Sequence, residues 1–450
     1  MWRESTSTSP SGQHLGHFKS LLARHEYSDV ADEDSPDDIA KRNELDGIQN
    51  HLLRLRLQII NYSLRTGHGY HRWQTITNSH ILKEPGNIKI HRTRVIHIYE
   101  ADYDLAVGVK WREAMHGAGE ASVLNDGQYG SRPLRQAQDP VLLEELQLVI
   151  SRVTRKTLVL TNYDATSCYD RIIPSLVMLS SRNFGMSKTA TLANMRTLEQ
   201  AHYRIRTDLG LAPTGYFHSP DNPIYGTGQG SLNSPMLWLF LDSILFDCYD
   251  SQARPAVYWT PDHLHRLALA MAGFVDDSNG QANQPVRGRR TGTHVGIDVT
   301  TLGIECTAVD KLAPCLGRRP GVFQVSGAPV LKVPDDLPDL VARDPQTSEI
   351  HCIPMLSPPY TAHKTLGHYK EPSGSQKEQA KQLQTFCMDQ VSFLWKSPLT
   401  RLEAWYFYKA CFIPSASYPL ANSHFSKESL QTIQRKAMSI IVESVCLIGT

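Results

Sequence analysis

Apolar and polar positions along this chain follow two rhythms, and each predicts a different kind of element. Over "IAKRNELDGIQNHLLRLRLQIINYSLRTGHG" apolar residues recur at three- and four-residue spacing, which predicts a helix stopped at Gly67 and Gly69. "HILKEPGNIKIHRTRVIHIYEADY" alternates around Pro85 and Gly86, the pattern of a β-hairpin carrying Lys83, Lys89, Arg92 and Arg94. "KTLVLTNYDATSCYD" is β-rich and ends on acids, with an apolar helix expected from Ser175 after Pro174. "SKTATLANMRTLEQAHYRIRT" reads as a further helix. The glycine-rich "NPIYGTGQGSLNSP" leads into the greasiest run, "SPMLWLFLDSILFDCYD", a buried helix with Ser234 as its cap and Pro235 in its first turn. The strand "LALAMAGFV" then delivers the chain to Asp276 and Asp277, and a Ser-Asn-Gly turn signal follows.

Three stretches lack such order or close the chain. The acidic "EYSDVADEDSPDD" reads as an exposed linker. From Gln281 to Gly321 there is no sustained period, and both ends are rich in Arg and Gly. A helical C-terminal region includes "SKESLQTIQRKAMSIIVESV". Strands interleaved with unpaired helices, without regular βαβ repeats, point to an α+β fold.

Composition narrows the function classes. A chain of 450 residues, 41% hydrophobic and 20% charged, is ordinary for a globular protein of about two to four domains or subdomains. With 46 Lys and Arg against 45 Asp and Glu, net charge offers no nucleic-acid signal, so any basic surface must be local. The eight cysteines are irregularly spaced and include no CxxC pair, which argues against a zinc module or disulfide scaffold and fits a reducing compartment. "MWRESTSTSPSG" has no apolar core of a signal peptide, and Asp242 and Asp247 interrupt the greasiest run, so no membrane role is expected. Nothing chooses between nucleus and cytoplasm.

Candidate chemistry centres on acids. Asp276 and Asp277 can mark a plain hairpin turn or a metal site at a hairpin tip, and Asp164 can be a strand-end cap or a third ligand. Neighbouring carboxylates suit Mg²⁺, and two such ions serve phosphoryl transfer. Between them, the glycines around Gln229 and Gly230 permit close backbone approach to a nucleotide or form a simple loop-to-helix turn. Lys83 and Arg94 can hold a triphosphate or merely solvate a strand.

In order and spacing these segments resemble the polymerase domain of reverse transcriptases, in particular the non-LTR (LINE-type) retrotransposon class. "YDATSCYD" resembles the first catalytic block, Asp164 matching its metal-binding aspartate and Asp170 its later, structural acid. "GQGSLNSPMLW" resembles the Gly-Gln-Gly…Ser-Pro block, and "FVDD" the block that carries the other two acids. "ILKEPG" with "RTRVI" resembles the finger blocks, "HKTLGHYK" the primer-grip turn at Leu366 and Gly367, and "SPSGQHLGHFK" the segment preceding the fingers.

The resemblance implies a right-hand polymerase of fingers, palm and thumb, with an antiparallel palm sheet backed by helices. It implies an N-terminal extension and fingers over 1–150, a palm over 151–285, an irregular insertion over 286–345 and a primer grip with truncated thumb over 346–450. Asp164, Asp276 and Asp277 would be catalytic and hold two Mg²⁺ ions, with Mn²⁺ as the alternative. Lys83, Arg94, Tyr169, Gln229 and Gly230 would bind the nucleotide, Tyr169 as the gate against a ribose 2′-hydroxyl. The implied partners are an RNA template, a DNA or RNA primer and dNTPs, with no membrane.

The resemblance weakens after Asp277. A lysine-bearing block that can protonate pyrophosphate is expected there, yet Lys311 in "AVDKLAP" matches it poorly. We read this stretch as altered, with slowed or lost turnover as the consequence. No endonuclease pattern, RNase H acid set or zinc knuckle is present, which suggests a polymerase core cut from a larger element. Three rivals remain: a catalytically inactive nucleic-acid-binding remnant, an RNA-dependent RNA polymerase, against which the Gln-Gly loop and Tyr169 argue, and an unrelated structural protein with chance motifs.

Overall fold

The computed structural model describes residues 9–12, 16, 36–84, 86–89, 92–154, 158–165, 168–207, 210–219, 224–252, 255–260, 262–282, 306–313, 341–343, 350–352, 361–428, 430, 431 and 435. In chain order they form α1 (Pro36–Thr66), β1 (Thr75–Leu82), β2 (Thr93–Ile98), α2 (Ala101–Glu120), α3 (Gln138–Thr154), β3 (Val159–Ala165), α4 (Pro174–Asn183), α5 (Lys188–Glu199), β4 (His202–Thr207) and β5 (Gly210–Phe217). After these come α6 (Ser234–Gln252), β6 (Ala256–Trp259), β7 (Arg266–Leu269), β8 (Met271–Phe274), β9 (Asp277–Ala282), β10 (Cys306–Ala313), β11 (Val341–Arg343) and β12 (Ile350–Cys352). The chain closes with β13 (His363–Thr365), β14 (His368–Lys370), α7 (Lys377–Lys396) and α8 (Arg401–Phe407). The architecture is mixed, helices with small antiparallel or mixed sheets. Among the described residues no helix is long and apolar enough to cross a membrane.

Contacts divide the chain into two units, one of Met1–Asn125, Thr166–Leu245 and Leu302–Glu305, the other of Asp126–Ala165, Phe246–Thr301 and Cys306–Thr450. The first is built on a sheet ordered β2-β1-β4-β5, in which β1 runs antiparallel to β2 and parallel to β4. Beside it α2 buries Tyr103, Val107, Trp111 and Met115. Its two large polar-tipped side chains find partners, Trp111 Nε1 donating to Ser181 Oγ on α4 (2.9 Å) and Tyr103 Oη to Asn194 Oδ1 on α5 (2.5 Å). Such pairing removes the penalty of a buried unsatisfied donor, about 1–3 kcal/mol each.

Helix α1 ends where its glycine predicts. Gly67 takes φ +73°, and its N–H returns to the Ser63 carbonyl (2.8 Å). It starts earlier than expected, since Pro36, Asp37 and Asp38 of the acidic stretch already belong to it; proline at a first turn forfeits no helical hydrogen bond. The expected single helix from Ser187 to Thr207 breaks after Glu199, and "HYRIRT" becomes β4. Pairing with β1 overrides the helical spacing there, helped by alternating aromatic, β-branched and basic side chains.

The second unit holds a sheet ordered β10-β3-β9-β8, antiparallel throughout. Leu158 and Leu160 of its central region pack with Leu148 of α3 and with Ala256 and Tyr258. The apolar run expected as one strand, "LALAMAGFV", splits at Ala270: β7 pairs with β6, and β8 with β9. Alternation within the run cannot reveal that its halves join different partners. In the C-terminal part, Leu383, Cys387, Val391 and Phe412 form a core, and Thr400 with Glu403 makes a capping box at α8.

Within the unpatterned 281–321 stretch the structure has a strand, β10, which pairs with β3 through register shifts. Residues 283–305 and 314–321 lie outside the described residues, as do most of the 286–345 insertion, most of "SPSGQHLGHFK" and most of "SKESLQTIQRKAMSIIVESV".

Candidate functional site

In the second unit, Phe274 pairs with Asp277, leaving Val275 and Asp276 as a two-residue hairpin turn. Val275 takes φ +59°. A β-branched residue in that region carries a cost of about 1–3 kcal/mol, so its surroundings must enforce it. A loop ahead of α3 does so. Gly273 N–H donates to the Gly127 carbonyl (2.9 Å) and Tyr129 N–H to the Gly273 carbonyl (2.8 Å). Gln128 is fully buried, and its Oε1 accepts from Gly130 N–H (2.7 Å). A Cβ at Gly130 would stand 2.5 Å from Val275 N, so only glycine lets the loop approach the turn this closely.

On its other side the turn meets β3. Ala165 N–H donates to the Asp276 carbonyl (3.2 Å), and Asp164 stands directly opposite Asp277 in the ladder. Opposed residues in an antiparallel pair have Cα atoms about 4.5–5.5 Å apart. The backbone thus gathers Asp164, Asp276 and Asp277 at one end of adjacent strands. The Ser-Asn-Gly signal proves not to be a turn: Asn279 and Gly280 lie inside β9, opposite Asn162 and Thr161. A chain of buried amides explains why so polar a segment is a strand. Gln147 on α3 donates to Gln281 Oε1, and Gln281 Nε2 donates to Asn279 Oδ1 (2.6 Å).

Among the described side chains no cluster of three or more His, Cys, Asp or Glu forms a metal site. Asp164 enters this description through its backbone alone. The two half-buried carboxylates of Asp276 and Asp277 are hard oxygen donors, which fit Mg²⁺ and not a thiophilic metal.

Leu366 and Gly367 form a second two-residue turn in the same unit, joining β13 to β14 with φ +47° and +81°. Positive φ at both central residues is the geometry that matches strand twist. Tyr418 holds this turn: its Oη donates to the Leu366 carbonyl (2.7 Å), and its ring lies 4.8 Å from that of His368. The Tyr418 carbonyl in turn accepts from Gln138 Nε2 (2.9 Å). Burial raises the Tyr418 phenol, and the negative charge of Asp277 raises it further. Lys370 is buried with Glu144 of α3 (2.7 Å) and also donates to the Val141 carbonyl (3.0 Å). Burial first, then the Lys370 charge, lowers the His368 imidazole to about 4.

In the first unit, Lys83 follows β1, and Arg94 on β2 faces Ile81; both basic side chains are exposed. The loop before α6 is stitched down by its backbone. Gly226 N–H donates to the Ile172 carbonyl (2.7 Å), Thr227 N–H to that of Tyr169 (2.7 Å), and the Gln229 carbonyl accepts from His97 N–H (2.7 Å). Gly228, at φ +83°, lies against the His97 ring and the Tyr99 hydroxyl, where a Cβ has no room. Burial raises the Asp170 carboxyl, while a Gln229 N–H and the Lys83 charge act against that rise. Lys83, Asp170, the Tyr169 backbone and Gln229 with Gly230 therefore form one neighbourhood, with Arg94 on the flanking strand. Ser234 is the first residue of α6, not a cap ahead of it, and its hydroxyl ties the loop through the Gly228 carbonyl (2.9 Å).

Sequence reasoning missed Gln128, Tyr129 and Gly130, although Asp-Gly and Tyr-Gly in "NDGQYGSR" signal a constrained loop. It also missed Tyr418 and the Lys370–Glu144 pair, for which no local signal exists.

No family model matches the chain, and no curated protein matches it. Among solved structures it is similar to telomerase of Candida albicans in complex with a fragment of telomeric RNA, at 12% identity and TM-score 0.37, covering 83% of this chain and 60% of that one. It is also similar to apo telomerase of Candida tropicalis truncated from its C-terminal domain, at 12% identity and TM-score 0.31, covering 52% of this chain and 47% of that one. The chain thus spans less than two thirds of either telomerase.

Proposed function

We propose that this chain is the polymerase core of an RNA-directed DNA polymerase of the reverse-transcriptase type, in the non-LTR retrotransposon class. The observation that carries the reading is the register that sets Asp164 opposite Asp277 with Asp276 in the adjoining turn. In this reading residues 1–150 are extension and fingers, 151–285 palm, and 346–450 primer grip and thumb.

Asp164, Asp276 and Asp277 would hold Mg²⁺, which when bound supplies charge neutralisation at the phosphates and a more acidic primer 3′-hydroxyl. The rigid turn at Val275 keeps the carboxylates of Asp276 and Asp277 from reorganising during the reaction, and alignment of this kind is where most of the rate arises. Lys83 and Arg94 neutralise the triphosphate as the primer 3′-oxygen attacks the α-phosphorus and pyrophosphate departs. Gln229 and Gly230 allow the nucleotide close to the backbone, and the Tyr169 ring excludes a 2′-hydroxyl by clash. The Leu366–Gly367 turn steadies the primer end.

Primer extension on an RNA template with dNTPs and Mg²⁺ tests the reading. Wild-type extension, abolished in Asp276→Asn, is expected, and Tyr169→Ala should raise rNTP use. A second reading, a nucleic-acid-binding remnant without turnover, is favoured by the register shift of β10 directly beside Asp164. Folded protein that binds primer–template and never extends it would select that reading.

A further inference from the structure

Helix α1 carries a seam that its own unit does not use. Leu45, Ile48, Leu52, Leu55, Ile59 and Tyr62 recur at alternating spacings of three and four, the a and d positions of three heptads. Each is 44–56% exposed. The side of α1 that packs inward is a different and less apolar stripe, on which Ile60 and Ser63 are buried. Its end is fixed to α5 by Arg196 Nη1, which donates to the Gly67 carbonyl (2.8 Å). From Leu45 to Tyr62 the seam runs about 27 Å along the axis, and exposed apolar surface so ordered suits a helical partner more than solvent.

The charges along α1 identify that partner. Before Gly47 the acidic residues Asp37, Asp38, Glu44 and Asp46 outnumber the bases Lys41 and Arg42, and from Gly47 to Thr66 the charged residues are Arg54, Arg56 and Arg65. A parallel pair of such helices would set two halves that carry arginine and no acid side by side. An antiparallel pair sets the net acidic half against the basic half at both ends. With Leu45 facing Tyr62, Ile48 facing Ile59 and Leu52 facing Leu55, the flanking Glu44 comes beside the flanking Arg65 twice over. We propose that α1 is a self-association element, joining two copies of this chain through an antiparallel coiled coil.

The full chain should then sediment at a mass near twice 50.5 kDa, in a concentration-dependent way. Leu52→Glu with Leu55→Glu should raise the dimer dissociation constant by more than about a thousandfold, with circular dichroism and melting of the monomer unchanged, because both side chains are exposed. Leu57→Glu, exposed but off the seam, should leave the dimer intact. Glu44→Arg and Arg65→Glu should each weaken association roughly tenfold, and the two together should restore it, since each pair then has opposite charges again. A wild-type monomer at every concentration, a dimer indifferent to the Leu52 and Leu55 changes, or no restoration in the double reversal would each overturn the proposal. None of these readouts depends on polymerase activity.

Discussion

One methyl group at Gly130 tests how the Asp276–Asp277 turn is held. In Gly130→Ala the new Cβ would lie 2.5 Å from Val275 N and 2.8 Å from Val275 Cγ2, against an ordinary contact of 3.4 Å or more. Relief requires a movement of about 0.9 Å at the turn. The crowded atom is backbone, so no side-chain rotation supplies that movement. The loop cannot retreat freely either, because Tyr129 N–H and the Gly127 carbonyl are both bonded to Gly273. Overpacking of this kind costs about 1–3 kcal/mol of stability. A displacement near 1 Å at reacting groups costs about a hundredfold in rate.

Two measurements read these quantities separately, urea unfolding for the first and single-turnover primer extension at saturating primer–template and dNTP for the second. Primer–template affinity should stay unchanged. Gly119→Ala is the control, because a Cβ there meets nothing within 4 Å. If Gly130→Ala unfolds like wild type and extends within about threefold of its rate, the loop does not position the turn and the reasoning fails.

Two further outcomes are expected. Lys370→Met strands Glu144 in a buried site and should destabilise the protein by about 3–5 kcal/mol, whereas adding Glu144→Leu should recover most of that loss; equal losses in single and double variants would show the pair to be uncoupled. Burial, with a smaller effect of His80, lowers His97 to about 4 from 6.5. The unfolded chain therefore takes up a proton near pH 6.5 that the folded chain refuses until about 4. Stability is full above that window and declines as pH falls through it, by on the order of 3 kcal/mol for this group. His97→Gln should flatten that limb of a thermal-melting profile, and an unchanged limb would refute the assignment.

Much of the local structure follows from the order of residues. Helix α1 with its stop at Gly67, the hairpin of β1 and β2, strand β3 and the buried α6 each announce themselves through period and punctuation, which act within a few residues. The sequence also offered "FVDD" as a hairpin turn or tip, and showed helical apolar spacing along α1 as a whole without separating its exposed face from its buried one. It misplaced the turn at Asn279–Gly280, ran α5 on into β4 and joined β7 to β8, because pairing partners are chosen at long range.

What only the tertiary structure decided is register and support. Setting Asp164 opposite Asp277 depends on which of several acceptable alignments of β3 and β9 buries Leu158 and Leu160 and joins Gln147 to Gln281 and Asn279. Clamping Val275 at positive φ depends on a glycine more than a hundred residues earlier. Holding the Leu366–Gly367 turn depends on a tyrosine hydroxyl about fifty residues later. Such contacts leave no periodic trace, since each joins one atom to another across the chain, and periodicity records only the face a residue shares with its neighbours.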